Sequence, residues 1–176
     1  MKYFTPKLFA RGNSPDVAVV RGIESEWESA IKRYRRRWNK IKSAFPRGVR
    51  RFEEAGICLH DAKLIHMAQE DMRFIMVLEM EQPARNLVVL TFTLTAEPEI
   101  KSSEIQPRLR SQRAIWLYEE FDLDRDRRCC FEVLLSNGWT LRLRFRDFQF
   151  MLARVLRPGR KGRVGQENDS MVTRTA

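Results

Sequence analysis

A chain of 176 residues, 43% hydrophobic and 32% charged, is long enough to bury one substantial core and too short to require two. Its 33 Lys and Arg against 23 Asp and Glu leave a net charge of +10, a balance that favours acidic or polyanionic partners. The longest uncharged apolar stretch, NLVVLTFTLTA at 86–96, is about half of what a spanning helix needs, and the start MKYFTPKLFARGNSP has no continuous apolar run, so membrane insertion and secretion are not expected and cytoplasmic residence is.

From Val17 to Phe45 the apolar residues Val20, Ile23, Trp27, Ala30, Ile31, Tyr34, Trp38, Ile41 and Phe45 recur every three or four positions, which predicts a long amphipathic helix. Ser14 or Asp16 suits its cap, Pro15 its first turn, Gly22 an interruption, and Pro46 its end. A short helical segment over 47–55 follows and stops at Gly56.

Beyond Gly56 the period changes to two, and strands are predicted at 57–68, 73–80, 86–95, 114–123, 129–136 and 139–147. Asn137-Gly138 favours a type I′ hairpin that would pair Leu134 with Leu141 and Val133 with Arg142. Short connections imply antiparallel neighbours. Residues 96–113 read as a polar loop, FQFMLARVL as a final helical turn or two, and 157–176 as a disordered basic tail. The expected fold is therefore α+β, a single domain over 1–156, helical over 14–55 and β-rich over 57–147. In it a long N-terminal amphipathic helix packs on an antiparallel, meander-like sheet of about five or six strands, its Trp27, Ile31, Tyr34, Trp38 and Ile41 covering one sheet face.

Candidate chemistry is sparse. CLHDAKLIHM at 58–67 holds both histidines, with His60 beside Asp61 as a candidate polar site. On one strand His60 and His66 would stand roughly 20 Å apart, and on a helix they would face different ways, so they cannot share an ion. His60 tied by Asp61 or by loop backbone is the expected arrangement, and a metal-dependent hydrolase around the pair ranks third among functional readings. Cys58, Cys129 and Cys130 suit neither a disulfide framework nor a zinc knuckle. DLDRD lacks the glycine and the bidentate glutamate of a calcium loop, GRKGRVG is no P-loop, and adjacent Glu119 and Glu120 would point to opposite faces of a strand. No metal, cofactor or catalytic residue is assigned.

The strongest anomaly is KRYRRRWNKIKSAFPRGVRR. Lys32, Arg33, Arg35, Arg36, Arg37, Lys40, Lys42, Arg47, Arg50 and Arg51 are ten basic residues with no acidic one among them. Like charges four apart cost about 0.2–0.5 kcal/mol per pair, whereas each buried large apolar side chain contributes roughly 1.5–3 kcal/mol, so this helix folds without an anion. Either these cations bind phosphate or an acidic partner, or the acidic residues Glu97, Glu99, Glu104, Glu119, Glu120, Asp122, Asp124 and Asp126 neutralise them within the fold.

MKYFT at the start, LHDAKL after the helices and WLYEEF before the last hairpin together resemble an uncharacterised bacterial family, a domain of unknown function with Leu-His-Asp-Ala and Trp-Leu-Tyr-Asp-Glu segments. The resemblance spans roughly residues 1–147 and implies a bacterial cytosolic protein with no catalytic residue assigned. The pattern of a His-Asp strand and a meander also looks like that of small immunity proteins of bacterial toxin systems. The leading expectation is a non-catalytic interaction protein with a protein partner; a nucleic-acid-binding module using 32–51 comes second.

Overall fold

The computed structural model describes residues 1–81, 86–102 and 114–154. The expected tail at 157–176 and most of the expected loop at 96–113 lie outside them. The chain opens with a helix that periodicity does not signal, α1 (Pro6–Gly12), capped by Thr5, whose Oγ1 accepts the Leu8 N–H at 3.2 Å. Then comes the long helix, α2 (Val17–Ile41), which runs through Gly22 without a break and is thus the second element, not the N-terminal one. A 3-10 turn (Lys42–Ala44) leads to Pro46 and α3 (Arg47–Glu54), and Gly56 closes the helical part at φ 62°.

Seven strands follow: β1 (Lys63–Glu70), β2 (Arg73–Glu79), β3 (Asn86–Leu94), β4 (Glu99–Ser102), β5 (Trp116–Leu123), β6 (Cys129–Leu135) and β7 (Trp139–Arg154). They form one antiparallel sheet in the order β1-β2-β3-β7-β6-β5, with β4 also on β7. Two three-stranded meanders are therefore joined where β3 meets β7. Thr95 donates to the Arg144 carbonyl at 2.9 Å, so β3 and β4 act as one kinked strand along β7. The sheet curls until its outer edges meet. Lys63 bridges Ile115, and Asp61 N–H to Trp116 O (2.9 Å), Trp116 N–H to Ala62 O (2.8 Å) and Leu64 N–H to Ala114 O (2.9 Å) flank that bridge.

Three expectations are corrected. Residues 57–62 are not strand: Asp61 takes φ 66°, and a turn closed by Ala62 N–H to Leu59 O at 2.9 Å carries the chain from α3 to the sheet edge. The hairpin at Asn137-Gly138 pairs Leu134 with Thr140 and Val133 with Leu141. Only Gly138 has positive φ there, 83°, and its N–H reaches the Leu135 carbonyl at 2.9 Å, so one extra residue enters the turn and shifts the register by one. Finally, β7 continues to Arg154 where a helical turn was expected, because β3 offers a partner through Asn86 opposite Arg154. A bulge near Thr93 and Leu94 moves the buried set from Leu141, Leu143 and Phe145 to Phe148, a three-residue step that imitates helical spacing.

The apolar stripe of α2 serves two cores. Ile41 and Trp38 join Phe45, Val49 and Phe52 over the sheet interior, where Phe92, Phe121, Phe131, Phe145 and Phe148 interlock. Ile23, Trp27, Ala30, Ile31 and Tyr34 instead pack on Phe4 and Leu8 of the N-terminal segment and on Tyr118 of β5. α3 lies so close to β7 that a Cβ on Gly48 would stand 1.7 Å from the Phe148 carbonyl oxygen.

The N-terminal segment is held by Glu120, which is 2% exposed. Its carboxylate accepts the backbone N–H groups of Lys2 (2.8 Å), Tyr3 (2.7 Å) and Phe4 (2.6 Å). Among the described residues no helix is long and apolar enough to cross a membrane.

Glu120→Ala would leave three amides without their acceptor, and we expect a loss of about 3 kcal/mol or more in denaturant unfolding, with residues 1–12 becoming the first site of proteolysis. Gly48→Ala forces α3 away from β7 and is expected to cost roughly 1–3 kcal/mol, read as a lower unfolding midpoint.

Candidate functional site: a basic helical face and an acidic aromatic cleft

The candidate pair His60 and Asp61 sits on the turn before β1, exposed at 42% and 52% of side-chain surface. His60 Nδ1 lies 2.8 Å from Asp61 Oδ2, and Nε2 lies 3.3 Å from the Tyr118 hydroxyl. Asp–His–Tyr is a chain with the shape of a nucleophile relay, but burial and then the Asp61 charge push the Tyr118 phenol up, which makes its oxygen harder to ionise. The histidine ties the turn to β5. His66 lies on β1, opposite Val77, in a different element from His60. Among the described residues no group of three His, Cys, Asp or Glu side chains is placed to hold a metal ion.

The ten basic residues of the run do stay together on α2, the 3-10 turn and α3, but they do not find acid partners in the sheet. Arg37 is the exception, with Nε 2.8 Å from Asp122 Oδ1. Lys32 pairs within its own helix, 3.3 Å from Glu28. Arg33, Arg35, Arg36, Lys40, Lys42, Arg47 and Arg51 are exposed, and together with the half-buried Arg50 they have no carboxylate within ion-pair distance among the described residues. The acidic residues are occupied elsewhere: Glu99 by Arg144, Asp124 by Arg128 and Arg144, Asp126 by Arg128, Glu132 by Arg142. Arg33, Arg36 and Lys40 follow at i, i+3 and i+7, a continuous stripe on one side of α2. Arg33 also reaches a cleft of about 530 Å3 between α1 and α2, where Lys2, Lys7, Ser25 and Ser29 gather and Arg11 is held bidentately by Glu26 at 2.8 and 2.9 Å.

On the other side of α2 a second cleft, of about 490 Å3, opens between α2, α3, the 57–60 turn and β5. Phe4, Tyr34, Trp38, Phe52 and Tyr118 form its walls, and Glu53 and Glu119 bring two carboxyls to it. Glu119 has the strand parity of Phe121 and Leu123, so it faces inward at the open end of the sheet, and its Oε2 accepts the Trp116 indole N–H at 2.6 Å. Burial pushes the Glu119 carboxyl up to about 7; the Trp116 hydrogen bond and His60 oppose this, and the Glu53 charge adds to it. Desolvation also raises Glu53, although that residue is exposed on α3. Tyr34, buried behind the cleft, is raised too, chiefly by desolvation, while its oxygen accepts the Phe121 N–H at 2.9 Å. A third cleft of about 460 Å3 lies across Tyr118, and His60, Leu117 and Tyr118 are the partition between the two.

The chain matches no protein-family model, and no curated protein and no solved structure is significantly similar to it. Site reasoning therefore rests on the geometry. Sequence reasoning had set Glu119 and Glu120 aside as neighbours pointing apart; they do point apart, and each has its own task. The signal for Glu119 was a charged residue on the same parity as Phe121 and Leu123.

The pH dependence of stability carries a definite sign. The folded chain binds the Glu119 proton more tightly than an unfolded chain with the ordinary value of 4.5, so this group favours folding most below that value and the advantage is lost as pH rises through about 7. Glu53 acts in the same direction. In thermal unfolding, Glu119→Gln is expected to gain on the parent protein between about pH 5 and about pH 8, with the indole bond kept by the amide oxygen.

Proposed function

We propose that the protein is a non-catalytic interaction protein that presents the face built by α2 and α3 to an acidic surface of a partner protein. The observation that carries this reading is the set of exposed guanidinium and ammonium groups from Arg33 to Arg51 left without carboxylates, while the acids of the sheet are held by Arg128, Arg142 and Arg144. Guanidinium forks match carboxylates bidentately, and the concave seat between α1 and α2 adds Lys2, Lys7 and two serine hydroxyls to the same surface. A cytoplasmic setting and membership of the uncharacterised bacterial family that the MKYFT start resembles belong to the same proposal and supply no catalytic residue.

Nucleic acid is the second reading, favoured by the net charge of +10. Trp27 and Trp38 are packed against Tyr118 and Phe45, so no ring of α2 serves as a base-stacking platform. Binding of this kind would rest on phosphate charge alone.

Affinity capture from the source cell with the parent chain and with the triple variant Arg33→Glu, Arg36→Glu, Lys40→Glu tests the proposal. Proteins retained by the parent and lost with the variant, at unchanged circular dichroism, are the expected result. Recovery of nucleic acid in their place, or duplex DNA binding whose logarithm falls linearly with the logarithm of salt, would move the second reading ahead.

A further inference from the structure

We propose that the cleft between α2, α3 and β5 is a binding site for an organic ammonium ion carried on an apolar body. This goes beyond the basic face and does not rest on it. A volume of about 490 Å3 lies within the range of small-molecule sites. Its walls are unusual in combining five aromatic rings with two carboxyls. Phe4, Tyr34 and Tyr118 form one continuous side, with centroids 5.5 Å (Phe4–Tyr34) and 5.8 Å (Phe4–Tyr118) apart, and Trp38 and Phe52 stand on the side shared with α3 and the main core. Ring faces carry negative charge density and attract cations, most strongly where water is excluded.

The carboxyls decide the sign of the ligand. Glu120, Asp122, Asp124 and Glu132 all have backbone amides or cations at hand. Glu53 and Glu119 do not: among the described residues neither has a basic side chain within ion-pair distance. A neutral apolar ligand would strip more water from Glu119 and return nothing for it. An anion would meet two carboxyls at close quarters, with only Arg35 at the rim to favour it. An ammonium group restores the missing charge partner and places its methylene or aromatic body against the rings. The raised Glu119 and Glu53 carboxyls are what such an empty cation seat produces, since burial without a counter-charge favours the protonated form. A carboxyl kept inward at the expense of stability is also a mark of a functional position.

The test uses the full chain at about pH 8 with three probes of one shape: phenethylamine, phenethyl alcohol and phenylacetate, titrated by calorimetry and by tryptophan fluorescence. Saturable binding of the amine, at least about tenfold tighter than the alcohol and with phenylacetate weakest, is the expected result. Glu119→Gln should bring the amine to the level of the alcohol, and Glu53→Gln, at an exposed residue whose change spares the fold, should weaken it by about threefold or more. Equal affinity for amine and alcohol, preference for phenylacetate, absence of saturable amine binding up to about 10 mM, or amine affinity untouched by both glutamine variants would each overturn the proposal.

Discussion

The arrangement of the helices on the sheet depends on one buried carboxylate. Glu120 gathers the amides of three successive residues, Lys2 to Phe4, and these charge-assisted bonds offset the cost of taking a carboxylate out of water. Without them the first residues of the chain would fray, as unpaired termini do. With them Phe4 is fixed between Trp27, Tyr34 and Tyr118, and the N-terminal half of α2 acquires a surface to pack on. Phe4 in turn helps to wall the acidic cleft, and Lys2 and Tyr3 help to line the basic one. One side chain on β5 thereby shapes both candidate sites.

The charge layout follows from where arginines sit in the sheet. Arg142 and Arg144 alternate with Leu141, Leu143 and Phe145 along β7, so their side chains rise on the face away from the core, where Glu99, Asp124 and Glu132 meet them. Neutralisation is completed between strands, by neighbours that the pleat puts opposite one another. The helical cations are left over, apart from Arg37 on Asp122. That separation, and not the total charge, is what makes the helical face distinctive.

Much of the architecture was legible in the sequence because periodicity reports which side is apolar. The 3.6-residue stripe of α2 and the alternation in β2, β3 and β6 are such cases. What escaped depended on chemistry shorter than a period or on a partner far along the chain. α1 spans under two turns, and only Thr5-Pro6, a cap followed by a residue suited to a first turn, announced it. β4 and the last third of β7 exist because each has the other strand's backbone to pair with. The basic run was visible as composition, but whether the acids would neutralise it was a matter of tertiary placement. Glu119 was visible as an inward charge, while the rings around it come from α2, α3, the N-terminal segment and β5, which no local pattern assembles.

The place where the sheet closes on itself has a consequence of its own. β1 and β5 meet over a single bridge with a few flanking hydrogen bonds, whereas β3 and β7 are paired over their whole common length. Spontaneous opening of the structure begins where fewest bonds must break together, so this seam is the hinge line along which the protein breathes. Asp61, whose amide is one of those bonds, belongs to the turn that separates two cavities. Parting the seam therefore widens both entrances at once while the phenylalanine interior stays shut.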